Sequence, residues 1–130
     1  MAHKPFVYPV PGPFGVEEVS YRTLADTVVT ALEGGCNHWM TGFRLSFGDP
    51  GDTQPWYDSE ELYSKVFTIR VTVDGEDTPQ FLDNLAVQQG LSLMAAKYPS
   101  HLSDLLNENG DAETADVFMQ LCLFKDVVYD

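Results

Sequence analysis

The sequence predicts an α+β fold, a small antiparallel β-hairpin or sheet packed against three to four helices. Three observations carry that expectation. The stretch "VFTIRVTVD" (66–74) alternates apolar and polar residues as a half-buried strand does. Apolar residues recur at helical spacing before residue 33 and throughout the C-terminal half. No internal repeat and no low-complexity linker divides the chain, so residues 1–130 read as a single domain with an extended N-terminal arm.

The arm is residues 1–16. Pro9, Pro11 and Pro13 fix φ and remove donors, so this segment reads as neither helix nor central strand. Phe6, Val7, Tyr8, Val10 and Phe14 are costly to expose together, which predicts an arm laid across the body of the domain. The first helix is expected from Ser20 or Thr23 to Glu33, with Thr23 and Asp26 as a weak capping box and Leu24, Val28, Ala31 and Leu32 on its buried face.

Period two begins at Trp39. Phe43, Leu45 and Phe47 alternate with Gly42, Arg44 and Ser46, and in the second strand Phe67, Ile69, Val71 and Val73 alternate with Thr68, Arg70 and Thr72. Such alternation predicts an antiparallel pair with one wet face. The connecting segment "GDPGDTQPWYDSEELYS" (48–64) carries five acids and no base, and reads as a packed loop with a short helical turn at its end.

Thr78 and Pro79 resemble an N-cap and first helical position, which predicts a helix through "DTPQFLDNL" with Leu82, Ala86, Gly90 and Leu93 in one stripe. Gly90 costs helix propensity, so close approach of a neighbouring helix is expected there. Pro99 ends this helix, and Ser100 is expected to cap a short one containing Leu102, Leu105 and Leu106. A last helix is expected from about Asp111, burying Ala115, Phe118, Met119 and Cys122.

The stretch "EGGCNHW" (33–39) admits two readings. A thiol, an amide and an imidazole in sequence suggest a nucleophile or metal ligands. Yet a structural zinc site needs four ligands, and the other soft candidates, His3, His101 and Cys122, show no paired spacing. The expected reading is an architectural corner: Gly34 or Gly35 at positive φ, Asn37 satisfying open backbone groups, and Trp39 buried. Two cysteines are too few for a disulfide framework and are expected to stay reduced. "NENGDAETAD" (107–116) fails as a calcium loop, because aligning Gly110 with the turn glycine puts Leu105 at the first ligand position. Phosphate-cradling, nucleophile-elbow and zinc-helix motifs are also missing, so the expectation is no enzyme, no metal and no cofactor.

Charge narrows the partners. Twenty acids against seven bases give a formal net charge of −13. Such a surface repels nucleic acid and anionic membranes and attracts basic protein surfaces, including those that hold DNA or RNA. Asp49, Asp52, Asp58, Glu60 and Glu61 are the candidate acidic protein-binding surface. Solubility alone also accounts for the charge. A different constellation points to a small anionic ligand. Arg44 and Arg70 share the wet face of the expected sheet with His38 near its edge, and Trp56 or Tyr57 could stack on a base. The arginines could equally answer neighbouring acids.

The blocks "TALEGGCNHWM", "GLSLMAAKYPSHLSDLLNENGDAETADVFMQLCLF" and "VVYD" resemble a family of small phage and prophage proteins. The shared features are Glu-Gly-Gly-x-Asn-x-Trp at a helix end and Ala-Asp-Val-Phe-x-Gln in a C-terminal helix, over about half of the chain. Cys36 is often another small residue in that family, which carries no reaction. The resemblance implies a phage source and the cytoplasm of a bacterial host, and predicts a non-enzymatic protein that binds a host protein, as a counter-defence factor or nucleic-acid mimic. A nucleotide-binding protein or sponge is the alternative. No apolar run reaches the length of a membrane span, and either a monomer or a homodimer is expected.

Overall fold

The computed structural model describes residues 5–129, so His3 and the first residues of the arm lie outside the described part. The fold is α+β, with two small antiparallel sheets and five α-helices. The arm is a hairpin: β1 (Pro9–Gly12) pairs with β2 (Gly15–Glu18), Val10 opposite Glu17. Its prolines fit because the sheet has only two strands, so each strand needs ladder donors on one side alone. Tyr8 and Val10 are buried as expected, but Phe6 and Val7 are half exposed and Phe14 at the tip is wholly exposed.

Helix α1 (Tyr21–Thr30) starts one turn earlier than a Thr23 cap allows. Ser20 is the N-cap, and its hydroxyl accepts from the Thr23 backbone N–H at 3.0 Å. Asp26 is spent on Arg22 instead. A wider π-helical turn, Ala31–Gly35, continues α1 into the corner before β3 (Met40–Phe47).

The second sheet has three strands, in the order β3, β4 (Thr68–Val73), β5 (Gln80–Asp83), all antiparallel. The alternation of β4 holds: Ile69, Val71 and Val73 are buried, while Thr72 is exposed. Strand β5 corrects the sequence reading at Thr78–Pro79. Residues 80–83 pair with β4, and α3 (Asn84–Lys97) begins only after Asp83, whose carboxylate accepts from the Ala86 N–H at 2.8 Å. Leu82 is buried from the strand rather than from a helical stripe, and Leu91 and Met94 complete the buried face of α3. The cap of α4 (Pro99–Leu106) is likewise Tyr98, with Pro99 in the first turn, and not Ser100. Helix α5 (Ala112–Phe124) is capped by Asp111, whose side chain accepts from Thr114 N–H.

Helices α3 and α5 cross at Gly90. A Cβ there would fall on the Cys122 sulfur and 3.0 Å from Cys122 Cα and N, so the bare glycine lets the two backbones touch. A buried polar staple ties the arm to this core. Asn84 donates to Tyr8 Oη at 2.9 Å and to the Lys65 carbonyl at 2.8 Å, and accepts from Phe67 N–H at 3.0 Å. Tyr8 Oη in turn donates to the Tyr63 carbonyl at 2.6 Å. All three amide-group sites used by Asn84 join segments that are distant in sequence, which fixes where the arm enters the fold.

Candidate functional site

The corner at residues 33–39 is organised by one carboxylate from α5. Trp39 Nε1 donates to Asp116 Oδ1 at 2.7 Å, Gln120 Nε2 donates to the same oxygen at 3.0 Å, and His38 Nε2 lies 3.3 Å from Oδ2. The Cys36 thiol also meets Asp116, and burial together with that carboxylate pushes its pKa up, away from the thiolate. Cys122 is buried and shifted in the same direction. Both thiols are free, and neither is the accessible thiolate that nucleophilic attack requires. Trp39 is buried, stacked on Tyr129 with centroids 5.7 Å apart and edge-on to Phe124 at 5.3 Å. Gln120 holds the segment that carries Tyr129, accepting from Val128 and Tyr129 N–H at 2.8 Å each.

Two details of the expected corner are corrected. Gly34 has φ 168°, extended backbone rather than the left-handed region, and a Cβ there would meet nothing within 4 Å. Gly35 is not left-handed either, yet it is the position that needs glycine, because a Cβ would lie 2.9 Å from the Ala112 carbonyl oxygen. Asn37 is exposed, and it is its backbone N–H, not its side chain, that closes the turn, donating to the Gly34 carbonyl at 3.2 Å.

The acids of residues 49–61 come together around the chain's own cations. Arg22 on α1 pairs with Asp26 at 3.0 Å, with Asp58 in the 3₁₀ turn Trp56–Asp58, and with Glu60 at 3.6 Å. Lys65, just past α2 (Glu60–Ser64), pairs with Glu61 at 2.8 Å and Asp49 at 3.9 Å. Ser59 caps α2 and also donates to the Pro50 carbonyl at 2.7 Å, fixing the 48–52 loop against the helix. The result is two neighbouring groups, joined in sequence at Glu60 and Glu61, in which five carboxylates meet two bases. Asp52 stands exposed in the adjoining turn and joins no ion pair among the described residues.

Arg44 and Arg70 do share the open face of the sheet, directly opposite each other in register, and Phe81 is opposite Arg70 on the other side. Neither arginine forms an ion pair or side-chain hydrogen bond among the described residues. The other three residues of the small-ligand constellation are elsewhere. His38 precedes β3 and is turned to Asp116 on α5. Trp56 and Tyr57 pack on Phe43, at 6.1 and 5.3 Å between centroids, and Phe43 alternates with Arg44 to face the core side. Tyr57 Oη donates to Glu33 at 2.7 Å, which raises its pKa. Neither loop aromatic can stack over the arginines. Phe81 and Phe47 are the half- and more-exposed rings of the open face, Phe47 because a register shift after Leu45 sets it opposite Thr68, against the alternation expected with Phe43.

Sequence reasoning passed over Asp116, Arg22 and Phe81. Asp116 had a readable signal, a lone acid between Ala115 and Phe118 on an otherwise apolar helix face. Arg22 and Lys65 each have a partner at helical i,i+4 spacing, whereas Asp58 reaches Arg22 only through the tertiary fold. Among the described residues no cluster of His, Cys, Asp and Glu has the geometry to hold a metal ion, and no helix is long and apolar enough to cross a membrane. Compared with protein-family models, with curated proteins and with solved structures, the chain matches none of them.

Proposed function

We propose that this chain is a non-catalytic binding protein of phage type that engages a basic surface of a host protein, in the bacterial cytoplasm, through the acidic face on α1 and α2. One observation carries the reading. Asp26, Asp49, Asp58, Glu60 and Glu61 gather about Arg22 and Lys65, five carboxylates with two bases to answer them. The internal ion pairs position the carboxylates without neutralising them as a group. Exposed pairs of this kind contribute little to stability, about 0–1 kcal/mol each, so a partner's lysines and arginines can compete for the same oxygens. The net charge of −13 extends the effect beyond contact range, speeding the approach of a cationic surface. Partners that normally hold DNA or RNA present such surfaces, and occupying one is how mimicry or counter-defence would operate.

The experiment is capture from a bacterial lysate at low and high salt, with wild-type protein beside a variant carrying Asp49→Asn, Glu60→Gln and Glu61→Gln. These substitutions keep shape and remove charge. The expected result is a set of basic, nucleic-acid-handling proteins retained by the wild type, released by salt and missing with the variant. The same set retained by the variant, or nothing retained by either, refutes the reading.

A further inference from the structure

The middle row of the three-stranded sheet reads Arg44–Arg70–Phe81 across its open face. Two like charges directly opposite each other on adjacent strands destabilise a sheet. The chain has twenty acids with which to relieve the pair, yet none lies within ion-pair distance of either guanidinium among the described residues. The carboxylate nearest in register, Asp83 opposite Thr68, already caps α3. Beside Arg44 on the same face is Gly42, opposite Thr72, and a Cβ at Gly42 would meet only the Thr72 hydroxyl oxygen, at 4.0 Å. The missing side chain leaves open space on this face, next to the Thr72 hydroxyl and one row from the arginine pair.

We propose that this face binds a nucleoside monophosphate, its phosphate seated between Arg44 and Arg70, beside the open space at Gly42, and its base on Phe81. Planar guanidinium forks match phosphate oxygens two at a time, and the Thr72 hydroxyl supplies a further donor. Strands lie about 4.8 Å apart, so the midpoint of the arginine pair is about 7 Å from Phe81, comparable to the reach from the phosphate to the base of one nucleotide. Phe81 is 48% exposed, leaving a ring face for stacking. The chain's overall charge selects against longer ligands. A polynucleotide brings many phosphates into a field of −13, whereas a single dianion meets the local pair of positive charges within a screening length of about 8 Å. The inference is independent of the acidic face on α1 and α2.

The test is an amide NMR titration of the full-length protein with adenosine monophosphate, adenosine, inorganic phosphate and a short single-stranded oligonucleotide. Adenosine monophosphate is expected to shift Gly42, Arg44, Thr68 to Thr72 and Phe81 selectively, with inorganic phosphate weaker and adenosine weaker still. The Arg44→Gln, Arg70→Gln double variant should lose roughly tenfold or more in affinity for the mononucleotide. Its thermal midpoint should hold or rise, because the like-charge pair is gone. Phe81→Ala should reduce binding of the mononucleotide to that of inorganic phosphate and leave the latter unchanged. No localised shift at millimolar mononucleotide overturns the proposal, as does unaltered binding by the folded double variant. Tighter binding of the oligonucleotide than of the mononucleotide also overturns it.

Discussion

Replacing Gly90 by alanine tests the contact on which the helical layer depends. The substitution normally stabilises a helix interior by up to about 1 kcal/mol. Here the added Cβ falls on the Cys122 sulfur and 3.0 Å from both Cys122 Cα and N. The sulfur can rotate away, but the backbone of α5 cannot move without opening contacts along its whole length. Overpacking of this kind costs about 1–3 kcal/mol, so the net loss should be about 1–2 kcal/mol. For a chain of this size that corresponds to a fall of roughly 3–8 °C in Tm. Urea denaturation followed by circular dichroism should show a lower midpoint with an unchanged slope. Adding Cys122→Ala to Gly90→Ala should recover only part of the loss, since the backbone contacts persist. A Gly90→Ala variant as stable as the wild type, or more stable, would mean that α3 and α5 do not meet at this point.

Three further outcomes follow from the described contacts. Gly35→Ala should cost about 1–3 kcal/mol, because its Cβ is driven toward the Ala112 carbonyl, while Gly34→Ala should stay under about 1 kcal/mol; equal effects in paired melts would contradict this assignment. In a Trp56→Phe background, Gln120→Leu should release Val128 and Tyr129 and shift Trp39 emission to the red, and an unchanged spectrum would show that Gln120 does not hold that segment. Burial pushes the Tyr8 hydroxyl up to about 12 from 10.0, so its neutral form is favoured on folding. That contribution is full below pH 10 and is lost as pH rises toward 12, on the order of 2–3 kcal/mol. Tyr8→Phe should flatten the alkaline fall in stability above pH 10, and at neutral pH should cost about 1–3 kcal/mol by leaving the Tyr63 carbonyl without its donor.

What could be read from the chain follows the range of the interaction. Strand β4 was legible because alternation is local, and from the same phase Arg44 and Arg70 were placed on one face. Gly90 was legible because a glycine inside a helical pattern needs a packing reason. Strand β5 was not, since four residues are too few to display a period and Thr78–Pro79 imitates a helix start. Phe81 was lost with it. The fate of Trp56 and Tyr57 depended on which side of the sheet a long loop returns to, and that is decided by Phe43 and Ser59 together. His38 was misplaced because its partner, Asp116, is 78 positions away.

The β1–β2 hairpin has a consequence for how the chain can be cut and rejoined. Its tip, Pro13–Phe14, is solvent-exposed, and Phe14 is 100% exposed, a ready cleavage point for an aromatic-directed protease. The residues that anchor its N-terminal strand, Tyr8 and Val10, lie upstream of that point and are buried. A nick at Phe14 would therefore leave a short peptide docked as a non-covalent subunit, held by the Tyr8–Asn84–Tyr63 bonds and the Gln88 side chain donating to the Pro9 carbonyl. The same loop is where a reporter could be inserted, or a peptide supplied in trans to complement the shortened chain.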